Sequence, residues 1–191
     1  MQQQTDLYNS IVDRSVSLAS YSSWEALRLH DVAADLGISL GDIYNCFADK
    51  EQISDAWFDR ADRNMLRLTE TPGFAHLNHQ QQCRQLMMAW LAPLAIQQNV
   101  SRQMILSKLE PGHLHIQVPA MIRISRTVQW LREACQQKAK LPFRAIDETV
   151  MTGIYLCTFC CWLTDKTPGF RRTQQQLEKQ LALAKRLRFL K

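Results

Sequence analysis

Apolar positions recur at helical spacing from one end of the chain to the other. Leu7, Ile11 and Leu18, with Tyr8 and Val12 beside them, predict a first helix from about Thr5 to Ser20, and YSSWEALRL follows as a loop. Val32, Ala33 and Leu36 share one face of a second helix, Leu29 to Leu36, which stops at Gly37 because glycine takes the left-handed helix-ending conformation at little cost. Ser39 stands where an N-cap belongs, its hydroxyl placed to accept from the free amides of the next turn. Ile43 and Phe47 then recur at i and i+4 in a short third helix. Asp49 caps a fourth, whose stripe of Ile53, Ala56, Trp57 and Ala61 reaches roughly to Leu68 before the TPG of residues 71–73.

Beyond that break the pattern predicts helices at about Asn78 to Gln98, Ser101 to Leu109, Val118 to Ala139, Ile146 to Thr164 and Arg172 to Leu190, separated by EPGH, KLPF and DKTPGF. Nothing alternates in the manner of a strand. The expectation is an all-α protein of about nine helices, with a helix-turn-helix bundle over residues 1–50 and a larger helical domain over 51–191. In the bundle, Ala33 is small enough to let the two short helices pack closely, and the second is placed where a duplex major groove could receive it.

A chain of 191 residues is long enough to bury a real core, and 46% hydrophobic residues against 21% charged exclude a disordered chain. The longest apolar stretch, Val150 to Leu163, has 14 residues, short of the about 20 that span a bilayer, and reads as a core helix. The opening MQQQTDLYNS has no basic start and no apolar core, so a cytoplasmic protein is expected. In a reducing compartment Cys46, Cys83, Cys135, Cys157, Cys160 and Cys161 are most simply small buried hydrophobes.

The stretch DVAADLGISLGDIYNCFADKEQI resembles the tetracycline-repressor (TetR) family pattern, in which an isoleucine-alanine helix, a Gly-Val-Ser turn, Tyr-x-x-Phe and Lys-Glu-x-Leu follow at this spacing. The match is specific over residues 25–60. The resemblance implies a ligand-responsive transcriptional regulator that binds double-stranded DNA through the helix-turn-helix. It also implies C-terminal helices that form a ligand pocket and pair two subunits through the last of them. Carried across, Ser39 is the turn serine, Tyr44 and Lys50 touch phosphates, and Leu40, Gly41, Asp42 and Asn45 line the groove face. Lys50 suits that part, since a cation at a helix start does little for stability but grips a phosphate held there.

The chain departs from the family at Asp42, where a small residue is common, and at Cys46, where an aromatic or histidine is common. The first 50 residues carry three cations (Arg14, Arg28, Lys50) against seven carboxylates, a net charge of −4 that leaves +9 on the remainder. DNA binders gain affinity by neutralising phosphates, so this asymmetry runs against a nucleic-acid role for the N-terminal bundle.

A second resemblance is to the lipid-binding accessory protein of ubiquinone biosynthesis, which shares the fold without DNA. YSSWEAL and GIYLCTFCCWLTDKTPGFRRTQQQL carry it, with Trp162, Leu163, Asp165 and Thr173 at the matching positions. It implies a bound lipid or isoprenoid and peripheral membrane contact. Residues 173–191 could supply that contact, with Leu177, Leu181, Ala184, Leu187 and Leu190 on one sector and Lys185, Arg186 and Arg188 at its edges.

The large side chains Met87, Trp90, Met121, Trp130, Tyr155, Phe159 and Trp162 are the candidates for a pocket that takes a small apolar ligand. Gly153, Cys157 and Cys161, at i, i+4 and i+8, form a small-residue face suited to a homodimer seam. Cys157-Thr-Phe-Cys160 has redox-motif spacing but lies in an apolar helix, where packing is favoured. His76 and His79, or His113 and His115, lack a second ligand pair at zinc-like spacing, so no metal is expected. With no P-loop, catalytic triad or paired carboxylates, neither an enzyme nor a cofactor is expected.

Overall fold

A computed structural model describes residues 2–108, 114–135 and 143–187. Among them are nine α-helices, three single 3-10 turns and no strand: α1 (Gln2–Tyr21), α2 (Leu29–Leu36), α3 (Leu40–Cys46), α4 (Lys50–Arg67), α5 (His79–Ala95), α6 (Gln98–Lys108), α7 (Leu114–Ala134), α8 (Phe143–Thr164) and α9 (Arg171–Arg186). No helix among the described residues is long and apolar enough to cross a membrane. The expected termini of the seventh and ninth helices, and His113, Arg188 and Leu190, lie outside the described residues.

The chain forms two compact units, Met1–Arg60 with Leu94–His113, and Ala61–Pro93 with Leu114–Lys191. The expected boundary at residue 50 is therefore replaced by one inside α4, and α6 joins the first unit. The reason is physical. Val100 and Met104 bury the apolar side of α6, Ser101 Oγ accepts from the Trp57 indole at 2.9 Å, and Lys108 Nζ bridges Glu51 and Asp55 of α4 at 2.9 and 3.1 Å. Gln103 Oε1 accepts from the backbone N–H of Trp24 at 2.6 Å. A buried cation answered by two carboxylates and a buried indole answered by a hydroxyl leave none of these groups to be desolvated alone.

The first unit's core is the apolar side of α1 (Ile11, Val12, Val16) closed over Val32, Ala33, Ile43 and Phe47. Tyr8 stacks on Phe47 with centroids 4.3 Å apart. Gly37 ends α2 at φ 66°, and its N–H returns to Ala33 and Ala34 carbonyls.

In the second unit α8 and α9 pack against each other around Trp162, Leu177 and Leu181. Asp165 makes their corner. Its buried carboxylate accepts from Thr167 N (2.9 Å), Thr167 Oγ (2.6 Å), Thr173 N (2.8 Å) and Thr173 Oγ (2.7 Å). Burial pushes that carboxyl up, but the four donors outweigh burial and hold it at about 2. The chain turns through Gly169 and then Phe170, which is left-handed at φ 55° and rests its ring 6.0 Å from Trp162.

Candidate nucleic-acid interface and buried pocket

The turn between α2 and α3 is stitched by a reciprocal cap. Asp42 N donates to Ser39 Oγ at 3.1 Å, while Asp42 Oδ2 accepts from Ser39 N at 2.9 Å and Ser39 Oγ at 2.7 Å. The Ser39 side chain, then its backbone amide, hold the Asp42 carboxyl below its ordinary range. This carboxylate neutralises the start of its own helix, where negative charge is stabilising, instead of standing as a free anion on the groove face.

The outward side of α3 is then Leu40, Gly41, Tyr44 and Asn45, all exposed, with Tyr44 at 71%. Lys50 is placed differently from the expectation of a phosphate grip. Its Nζ donates to the carbonyls of Trp24 (2.9 Å) and Glu25 (3.1 Å), lies 3.4 Å from that of Leu27, and stands over the Trp24 ring at 5.6 Å. Carbonyls at the end of the 24–26 turn have no helical donor to satisfy them, and an ammonium with three protons serves all of them. Arg14 pairs with Asp35 and Arg28 with Asp31, so two more cations of this unit are answered internally.

In the second unit Met65, Met87, Trp90, Leu91, Leu131, Tyr155, Thr158 and Phe159 enclose a cavity of about 10 Å³. That is room for one water at most, so the pocket is filled by its own walls. Trp90 meets Tyr155 and Phe159 edge-on at 5.1 and 5.3 Å. Beside these rings lies Asp62, 8% exposed. Its Oδ1 accepts from Trp90 Nε1 at 2.7 Å and Thr127 Oγ1 at 2.9 Å, and its Oδ2 lies 3.5 Å from the Arg123 guanidinium. Burial first, and the Asp62 charge second, push the Tyr155 hydroxyl well above its usual value, so it is a neutral phenol.

Of the expected pocket residues, Met87, Trp90, Tyr155 and Phe159 line this cavity, and Trp162 stacks one ring further along, 5.8 Å from Phe159. Met121 (70% exposed) and Trp130 (50% exposed) do not line the cavity. Among the described residues the buried stripe of α7 begins only at Thr127, and Trp130 is turned about 200° from Val128.

This structure is similar to the solved structure of a TetR transcriptional regulator from Nitrosomonas europaea ATCC 19718. The two are 47% identical, the match covers 94% of this chain and 98% of that one, and the TM-score is 0.85. The chain belongs to the TetR family. A TetR transcriptional regulator from Rhodococcus sp. RHA1, 17% identical, shares the fold over 95% of this chain and 96% of that one with a TM-score of 0.70. No protein-family model matches the chain, and no curated protein matches it.

In this TetR-family chain the seam expected at Gly153, Cys157 and Cys161 needs one correction. Gly153 and Cys157 are exposed, but Cys161 is buried, 3.9 Å from Thr173 Oγ. Eight residues rotate a helix by about 80° off the starting face, whereas seven rotate it by only about 20°, so Cys160 continues the exposed face. The apolar sector of α9 is also spent inside the fold. Leu177, Leu181 and Ala184 are buried and Leu187 is exposed, so among the described residues three positions of the sector expected to face a membrane pack in the core instead. Trp162, Asp165 and Thr173, which carried the second resemblance, are the corner of α8 and α9. Asp62, Thr127 and Arg123 were missed by sequence reasoning. A lone aspartate in an amphipathic helix reads as solvated, and no local spacing links it to α7.

Proposed function

We propose that this chain is a homodimeric transcriptional regulator that reads double-stranded DNA with α3 and answers a small ligand in the pocket of its second unit. The observation that carries the reading is the likeness, over nearly the whole chain, to a TetR transcriptional regulator, together with the outward side of α3 left to Leu40, Gly41, Tyr44 and Asn45. Ser39 and Asp42 shape the turn before α3, Lys50 braces the 24–27 segment before α2, and Tyr44 and Asn45 supply the polar tips for phosphate and base edges. The paired reading helices of a dimer would stand about 34 Å apart to meet successive major grooves.

The first unit holds six cations and eleven carboxylates, a net charge of −5, and the second is +10. Few counterions are displaced by such a surface, so binding depends on fit more than on bulk charge and varies shallowly with salt. Asp62 gives an apolar pocket one fixed anionic acceptor, the arrangement that orients a ligand carrying a donor or a cation. Met65 and Met87 are the wall residues that repack most easily to admit it.

The test is fluorescence anisotropy with duplex fragments flanking the protein's own coding region. Retention of one fragment by a dimer at low salt, with Tyr44→Ala weakening it at least tenfold, is expected. Failure to bind any of those fragments at low salt would overturn the reading.

A further inference from the structure

His79 and Cys83, at i and i+4 on α5, meet Cys135 at the end of α7, 52 residues further along the chain from Cys83. His79 Nδ1 lies 3.4 Å from Cys83 Sγ, the two sulfurs are 3.0 Å apart, and all three ligand atoms fall within 4.8 Å of one another. We propose that His79, Cys83 and Cys135 form a binding site for a thiophilic divalent cation, zinc(II), that ties the first turn of α5 to the end of α7.

Three atoms this close can all reach one ion at the about 2.3 Å of a zinc–thiolate bond and the about 2.0 Å of a zinc–imidazole bond. Two thiolates balance a divalent charge, so the occupied site buries no net charge, whereas a monovalent soft ion would leave one negative charge in the core. Cys83 and Cys135 are 0% and 2% exposed and His79 is half-buried, so the site is closed on the sulfur side. His79 Nε2 is buried without a hydrogen-bond partner among the described residues, and the Asp147 carboxylate is its charged neighbour.

A disulfide explains the two sulfurs less well. It leaves the imidazole beside them unaccounted for. A divalent cation bound here displaces both thiol protons. Leu131 on α7 and Met87, Trp90 and Leu91 on α5 wall the pocket, so an ion there also pins two of its sides.

The full-length protein, reduced and stripped with a chelator, is titrated with zinc and, separately, with cobalt(II) as a spectroscopic probe. Expected are one zinc per chain with Kd below about 1 µM, release of about two protons at neutral pH by calorimetry in two buffers, and a thiolate-to-cobalt charge-transfer band. Cys83→Ala and Cys135→Ala each abolish the band, and His79→Ala weakens zinc at least about tenfold. The wild-type proton count and spectrum stand without the variants should either fail to fold. Absence of a cobalt band in the reduced wild-type protein, retention of it in folded Cys83→Ala, or a Cys83–Cys135 disulfide whose reduction yields no metal uptake would each overturn the proposal.

Discussion

The indole of Trp90 donates to the carboxylate of Asp62 at 2.7 Å, beside a cavity walled mostly by apolar side chains. Asp62→Ala removes the carboxylate that accepts from that indole and from the Thr127 hydroxyl and that faces Arg123. The expected cost is about 2–4 kcal/mol, a fall in Tm of about 4–16 °C for a chain of this size. Differential scanning calorimetry checks it. Asp62→Asn, which keeps an acceptor, should lose about half as much.

Asp165 makes acid stability a local matter. Its carboxyl is held at about 2 in the fold against 3.8 for the free group, so its contribution is present above about pH 4 and is lost as pH falls toward 2. Its worth is on the order of 1–2 kcal/mol, read as the difference in urea midpoint between pH 5 and pH 2.5. Asp165→Asn should be less stable at pH 5 and show a flatter decline below pH 4.

Lys50 and Tyr44 should separate folding from binding. Lys50→Met removes the donor to the Trp24 and Glu25 carbonyls and lowers stability by about 1–2 kcal/mol, while the slope of affinity against salt stays unchanged. Tyr44→Ala, at an exposed position, leaves the urea midpoint unchanged and weakens DNA retention.

Gly153 is exposed, and an added Cβ there meets nothing within 4 Å, so the chain itself has room for a side chain at this position. Gly153→Ala is expected to raise chain stability by up to about 1 kcal/mol through helix propensity, and Gly153→Arg to yield a monomer with an unchanged circular dichroism spectrum. Light scattering after size exclusion reads the outcome.

Short-range signals were legible in the sequence and long-range ones were not. Gly37, Ser39 and Asp49 announce their turns because each acts within four residues; Asp49 Oδ1 does accept from Gln52 N at 2.8 Å. The all-α class and the family are carried by the spacing of residues 31–53. By contrast, α7 starts at Leu114, earlier than Val118, with Pro119 inside it. Lys50 has the composition of a phosphate ligand, and only the folded position of residues 24–27, more than 20 residues away, shows what it binds. Cys135 stands among glutamines and lysines and carries no hint of His79 and Cys83. The inward and outward faces of α7 were hidden because Met121 and Trp130 are apolar wherever they point.

Pro93, inside α5, has no amide proton to give to the carbonyl four residues earlier. That carbonyl, Ala89 O, is taken instead by the side chain of Asn64 at 2.7 Å. The ladder lacks one rung at this point, and a side-chain amide from α4 stands in its place. The helix that walls the pocket is thus spliced to α4 by Asn64 at the one carbonyl its proline leaves unclaimed.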